Sequence, residues 1–387
     1  MRSVNSDTVY LDYAAATPVD ERVMAAMLPF FGDKFYNPSS PYAPAVEVRH
    51  HYEAAKQRIA ECIGAKGSDI IMTAGATESI NLMFAGVTGH VVTTAIEHIA
   101  VLAAARLHEH SLVAVDSTGR VAAADVRAAI REDTVLVSIS LANNEIGTIQ
   151  PLRNISEVIQ EVKRERHATG NQTPLYFHSD ASQGAGLCDI NVARLGVDAL
   201  TLNAAKLYGP KQVGLLWIDS HVRLNPLIVG GGQERGLRSG TEQVAGTVGF
   251  ALALELAVGG RKSEVVRLGE LRDMMQSRLT HNFPDAVISG NQRHRLANYL
   301  SISFPNIDAE RIVFLLEAKG VFVATGSACA ANKGTRSHVL IALGLDPSVA
   351  DGSLRITLGR GTDKLGCERA LEYIVGAVLS ERTRMDR

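Results

Sequence analysis

Lys206 stands in an apolar, small-residue stretch, Leu202-Asn203-Ala204-Ala205-Lys206-Leu207-Tyr208-Gly209-Pro210-Lys211. Burial disfavours an ammonium, so an amine in such surroundings loses its proton cheaply and can attack a carbonyl. Upstream, the apolar run Leu175-Tyr176-Phe177 leads into His178-Ser179-Asp180-Ala181-Ser182-Gln183. A carboxylate at the end of such a run needs a partner if it is buried, and a protonated ring nitrogen is one. The two residues together suggest a pyridoxal phosphate (PLP) enzyme, with Lys206 as the Schiff-base lysine and Asp180 as the pyridinium partner. Each also has a plainer reading. Lys206 could be a solvated lysine before a Gly-Pro turn, and Asp180 could cap the segment that follows.

Other positions have the same double character. Gly75 in Thr73-Ala74-Gly75-Ala76-Thr77-Glu78-Ser79 permits a tight turn, after which backbone amides and the Thr77 hydroxyl face an anion. The alternative is a plain helix start with a capping-box variant. Gly230-Gly231-Gly232-Gln233-Glu234-Arg235-Gly236 lacks the Gly-Lys-Ser/Thr ending of a nucleotide loop. His98, after Glu97, could stack on a ring and shuttle protons, or simply cap a helix. Arg355 interrupts an apolar run and must meet an anion, either a substrate carboxylate or a structural partner. Cys329 lies in the small-residue stretch Ala324-Thr325-Gly326-Ser327-Ala328-Cys329-Ala330-Ala331-Asn332-Lys333-Gly334. Lys333 could favour its thiolate, and a buried structural cysteine is the alternative. Cys62 reads as core, and Cys188 and Cys367 have no activating neighbours. No spacing of cysteines or histidines suggests a metal site or a disulfide framework.

Elements able to position these residues alternate along the chain. Strands are expected at 69–73, 90–96, 112–116, 134–141, 175–180, 199–203 and 213–218, with helices at 78–85, 99–108, 124–130 and 155–166 among them. Such alternation gives an α/β fold, a mostly parallel seven-stranded sheet covered by helices. The last two strands are close enough in sequence to pair antiparallel. Ligands bind beyond the carboxyl ends of such strands, where the motifs fall. A long helical stretch around 249–279 leads to strands at 299–304, 321–324 and 354–358, a helix at 309–318 and a terminal helix, a smaller α+β domain. The expected division is an N-terminal segment 1–20 packing with the small domain, a large cofactor domain 21–255, and a C-terminal domain 256–387.

Bulk properties narrow the class. The 387 residues exceed one ordinary core, and 46% hydrophobic with 21% charged residues describes a globular chain. A net charge of −2 exerts no general pull on nucleic acid or an anionic membrane. The N-terminus lacks a signal-peptide core, and no apolar run looks long enough to span a bilayer, so a cytoplasmic protein is expected.

Nine stretches, taken in order, resemble the cysteine desulfurases of the fold-type I PLP class, in the branch of nitrogen-fixation and iron–sulfur housekeeping enzymes. They include Tyr10-Leu11-Asp12-Tyr13-Ala14-Ala15-Ala16-Thr17-Pro18-Val19, Gly75-Ala76-Thr77-Glu78-Ser79, Glu97-His98 and Asn143-Asn144-Glu145-Ile146-Gly147. Asp180-Ala181-Ser182-Gln183, Lys206-Leu207-Tyr208-Gly209-Pro210-Lys211, Arg238-Ser239-Gly240-Thr241, Gly326-Ser327-Ala328-Cys329 and Leu354-Arg355 complete the set.

The resemblance implies roles. Lys206 binds PLP and later acts as a base, Asp180 meets the ring nitrogen, Gln183 meets the ring hydroxyl, and His98 stacks and assists proton transfer. Ala76 and Thr77 hold the phosphate, with Thr241 reaching the cofactor of the other subunit of a homodimer. Asn144 and Arg355 hold the carboxylate of L-cysteine. Cys329 takes the sulfur as a persulfide and hands it to an acceptor protein, a cluster scaffold or a thiolation protein. Its Gly-Ser-Ala-Cys context resembles the long-loop group.

Two features depart from the family. Asn203-Ala204-Ala205 replaces the usual Ser-x-His before the lysine. Asn203 can still donate to a phosphate and Ala205 cannot, so weaker cofactor retention is expected. Pro41-Tyr42-Ala43 follows Asn37-Pro38-Ser39-Ser40 where a histidine and then a glycine are usual. Two other readings stay open: a PLP enzyme acting on another amino acid, or a PLP-deficient subunit of a sulfur-transfer complex.

Overall fold

The seven strands expected in the first region pair into one sheet, in the spatial order Ile70–Thr73, Gly214–Ile218, Ala199–Asn203, Tyr176–Asp180, Thr134–Ser138, His90–Thr94 and His110–Val113. The structure is a computed structural model and describes residues 8–326 and 336–385. Gly214–Ile218 runs antiparallel to both its neighbours, and the remaining pairings are parallel.

The apolar, β-branched character of these runs follows from their surroundings. Every residue of His90–Thr94, Thr134–Ser138 and Gly214–Ile218 is buried, as a sheet covered on both faces requires. Helices Ala76–Ala85 and Ile99–Ala105 cover one face through Ile80, Met83, Phe84 and Val101. Helices Ala43–Ile63 and Leu152–Thr169 cover the other through Ile59, Ile63, Ile155 and Ile159. The edge strand lies at 110–113 rather than the expected 112–116. Asp116 ends it: its Oδ1 accepts from Thr118 N at 2.8 Å and Arg120 N at 3.0 Å, turning the chain away.

A second sheet, all antiparallel, has the order Ala324–Thr325, Ser353–Thr357, Tyr299–Ser303, Val287–Ser289. The expected strand 321–324 divides at Val323. Val321–Phe322 instead pairs in parallel with Val9–Tyr10, so residues near both ends of the chain share a two-stranded ribbon. The hidden core beneath includes Leu11, Ile302, Phe304, Leu354, Ile356 and Ile374.

One helix, Val244–Asn282, serves both cores. Phe250, Leu254 and Ala257 belong to the first, and Leu268, Met275 and Leu279 to the second. The sequence reading found no run able to cross a bilayer, yet this helix is long and apolar enough by length and composition. Within the fold 56% of its apolar stretch is buried, partly against helix Ala43–Ile63. Its many Ala and Gly residues are weakly apolar singly, which hid the run, but they let two helices approach closely.

Candidate active site

The carboxyl ends of the parallel strands open into a cavity of about 360 Å3. Ala76, Thr77, His98, Asn144, Asp180, Gln183, Asn203, Lys206 and Arg355 all line it, with Ala14, Ala15, Ser140, Ala142 and Ser182. Lys206 and Asp180, on which the cofactor reading depends, thus share one space.

Lys206 follows strand Ala199–Asn203 by a single tight turn, in which Asn203 Oδ1 accepts from Ala205 N at 3.1 Å. Thr17 Oγ1 donates to Ala205 O at 3.0 Å and accepts from Tyr208 N at 2.8 Å, fixing the turn on either side of the lysine. The amine donates to Ala14 O at 2.7 Å and Ala15 O at 2.6 Å. It is therefore seated by the N-terminal segment, a role for Ala14 and Ala15 that residue type alone could not reveal. Ala205 itself does not line the cavity.

Asp180 closes strand Tyr176–Asp180, and its Oδ1 accepts from Ser182 N at 2.9 Å. The turn-capping role and the cavity role coexist. Gln183 Nε2 donates to Ala14 O at 3.1 Å, and its Oε1 accepts from the Tyr299 hydroxyl at 2.8 Å. Tyr299, fully buried, is thus an orienting residue that the sequence reading missed.

His98 both caps helix Ile99–Ala105, with Nδ1 accepting from Ala100 N at 3.1 Å, and lines the cavity. That bond leaves Nδ1 without a proton and places the neutral ring's proton on Nε2. Burial lowers its pKa, Lys206 and His338 lower it further, and Asp180 opposes them. Beside it, Glu97 is held by Ser140 and Thr94. Burial pushes this carboxyl up to about 7.

Helix Ala76–Ala85 starts at Gly75, whose φ of +122° favours glycine and which supplies no side-chain cap. The first amides of a helix have no partner inside it and carry the positive end of its dipole. Here Ala76 and Thr77 present that end to the cavity. Gly214 completes the cradle: a Cβ there would lie 2.6 Å from the Gly75 backbone.

Arg355 is 5% exposed. Its Nη2 donates to Asp12 Oδ1 at 2.7 Å and its Nη1 to Asn144 O at 3.1 Å, while Nε has no partner among the described residues. Burial works to lower its pKa, but Asp12, Tyr299 and Glu145 outweigh burial and hold it above the usual value. Glu145, next to Asn144, accepts from Ser337 Oγ, and burial raises its carboxyl to about 7.

One expected residue among those described is not brought here. Thr241 is exposed and lies outside the cavity lining. Cys329 lies outside the described residues. Burial raises the thiol of Cys62 to about 11 and those of Cys188 and Cys367 to about 12. Among the described residues, no group of His, Cys, Asp and Glu could hold a metal ion.

The class-V aminotransferase family model matches residues 9–368. The cysteine desulfurase IscS of Dictyoglomus turgidum is 40% identical over 387 aligned residues, covering 97% of this chain and 95% of that protein. The chain belongs to the class-V aminotransferase family, among its cysteine desulfurases. A solved NifS-like protein superposes with a TM-score of 0.87 at 36% identity, covering 96% of this chain and 99% of that one. The structure of SspA in complex with cysteine gives a TM-score of 0.78 at 33% identity, over 91% of this chain and 99% of the other.

Enzymes of this family are PLP-dependent, and the residues present fit PLP. An uncapped helix N-terminus suits the phosphate. The carboxylate of Asp180 suits a protonated ring nitrogen, and the amine of Lys206 suits the aldehyde.

Proposed function

We propose that this protein takes sulfur from L-cysteine, releases L-alanine and retains the sulfur as a persulfide on Cys329. The observation that carries the reading is the convergence of Lys206, Asp180, His98 and Arg355 on one cavity beside an uncapped helix N-terminus. Bound PLP supplies an electron sink that makes the substrate's α-proton and Cβ–S bond labile. Lys206 takes and returns the proton at Cα. Asp180 would keep the ring nitrogen protonated, and Gln183, oriented by Tyr299, would meet the ring hydroxyl. Ala76 and Thr77 hold the phosphate, and Asn203 adds its amide. His98, a neutral imidazole at the cavity wall, would face the ring and would move protons through Nε2.

Arg355, held by Asp12 and the Asn144 carbonyl, receives the substrate carboxylate together with the Asn144 side chain. The Cys329 thiolate attacks the substrate sulfur, the S–S bond forms, and the Cβ–S bond breaks with its electron pair left on carbon. A proton then completes alanine. The role of Cys329 rests on its Gly326-Ser327-Ala328-Cys329 context. The persulfide sulfur passes to an acceptor protein of a cluster-assembly or thiolation pathway.

The working form is a homodimer, with Thr241 serving the partner's cofactor. Its exposure away from its own cavity supports this. So do exposed Leu28, Phe31, Phe35 and Val229, on two segments that meet where Ser39 Oγ contacts Glu242 at 3.5 Å. Residues 21–255 form the cofactor-holding part and 256–387 the part carrying Cys329. Cysteine usage suits the reducing cytoplasm.

The test is a visible spectrum of the PLP-loaded protein before and after L-cysteine, with alanine and sulfide quantified against keto acid. Cys329→Ser is expected to keep the yellow colour and lose persulfide and alanine formation. Full activity in that variant removes Cys329 from the mechanism, and keto acid as the product replaces desulfuration with transamination.

A further inference from the structure

The helix whose N-terminus faces the cavity carries an acid in its first turn. Glu78 Oε2 accepts from Ala74 N at 3.0 Å and so closes the turn entering the helix. The other oxygen accepts from Arg238 Nε at 2.8 Å, with the two side chains 17% and 23% exposed. A first-turn carboxylate favours the helix by facing its positive end. It also competes with any anion for that same end and repels it.

The loop that carries the arginine is anchored independently of Glu78. Glu234, a little earlier in the same loop, is buried and accepts from Tyr52, from Lys56 Nζ at 3.2 Å and from Met72 N at 2.7 Å. Met72 belongs to the strand that runs into the Gly75 turn. Glu234 and Arg235 both sit at positive φ, 48° and 62°, a backbone cost that the buried anchor sustains. Ser239 N donates to Ile228 O at 2.9 Å and closes the loop behind Arg238. The loop that carries Arg238 and the phosphate-side turn are thus fixed to a common frame.

We propose that Arg238 is a positioning residue for the cofactor phosphate: paired with Glu78, it cancels the carboxylate beside the helix N-terminus and holds the Ala74–Thr77 turn in its anion-receiving shape. The inference rests on the reading of the cavity as a PLP site. Its distinctive consequence is that Arg238 matters in proportion to the charge of the ligand's phosphate. A residue serving only the fold would affect phosphorylated and unphosphorylated ligands alike.

The test titrates the full chain, stripped of cofactor, with PLP and separately with pyridoxal, reading absorbance. Arg238→Met is expected to raise the Kd for PLP about tenfold and to leave that for pyridoxal unchanged. Adding Glu78→Gln to Arg238→Met is expected to restore most of the lost affinity. Glu78→Gln alone, which keeps the arginine, is expected to tighten PLP binding, and it carries the test if Arg238→Met is unstable. Unchanged PLP affinity in Arg238→Met, an equal loss for both ligands, no rescue in the double variant, or weaker PLP binding by Glu78→Gln each overturns the role. Wild-type protein that binds pyridoxal but not PLP, or neither, overturns the PLP reading and this role with it.

Discussion

Arg355 Nη2 lies 2.7 Å from Asp12 Oδ1, joining the small sheet to the N-terminal segment at the wall of the cavity. The pair is 6% and 18% exposed. Removing one partner of a buried ion pair leaves the other charge uncompensated, at about 3 kcal/mol or more. Asp12→Ala is therefore expected to lower Tm by several degrees and to raise the KM for L-cysteine more than it lowers kcat. Asp12→Asn keeps an acceptor and is expected to recover most of the Tm. Thermal melts and steady-state alanine assays check both.

Glu145 gives a pH signature. Its carboxyl sits near 7 in the folded protein, raised by burial from 4.5. A folded-state pKa above the unfolded one means that the folded protein binds the proton more tightly. The stabilising effect is complete below about pH 4.5 and is lost as pH rises through about 7. Over that window stability falls by on the order of 3 kcal/mol. Glu145→Gln still accepts from Ser337 and does not titrate, so its Tm is expected to decline less than that of wild type between pH 5 and pH 8.

Lys206→Ala is expected to abolish alanine formation. It also removes the donor from the Ala14 and Ala15 carbonyls, and Tm is expected to fall by the equivalent of about 1–3 kcal/mol. Activity that survives at wild-type rate would remove the lysine from the chemistry.

Ala205→His tests cofactor retention. Reinstating an imidazole donor next to the lysine is expected to lower the Kd for PLP, measured by fluorescence titration of stripped protein, while pyridoxal binding stays unchanged.

The sequence made the sheet and the cavity-lining residues legible because apolar periodicity and strand-terminal polar residues are local signals, but three strands end two or three residues before the expected 96, 116 and 141. Several local alternatives turned out not to compete. His98 caps a helix and faces the cavity, Asp180 turns the chain and faces it too, and Glu78 closes a turn while meeting Arg238. A structural bond at each of these residues therefore leaves its place at the cavity or beside it intact. What stayed hidden was non-local. Nothing in Tyr299 announces that it orients Gln183 across 116 positions. Nothing in Ala14 or Ala15 announces a backbone carbonyl as the seat of an amine. The division of 321–324 between two sheets depends on residues 9–10, far away in the chain.

That last pairing has a consequence for synthesis. Leu11 O accepts from Thr357 N at 2.8 Å, and Ala14 N donates to Thr357 Oγ1 at 3.0 Å. The segment that seats Lys206 is made well before Thr357, one of the residues that hold it, although Gln183, Ala205 and Tyr208 also bond to it. A nascent chain can therefore assemble its great sheet and still lack the rest for its amine. A product that stops short of residue 357 is therefore expected to be silent rather than half-active.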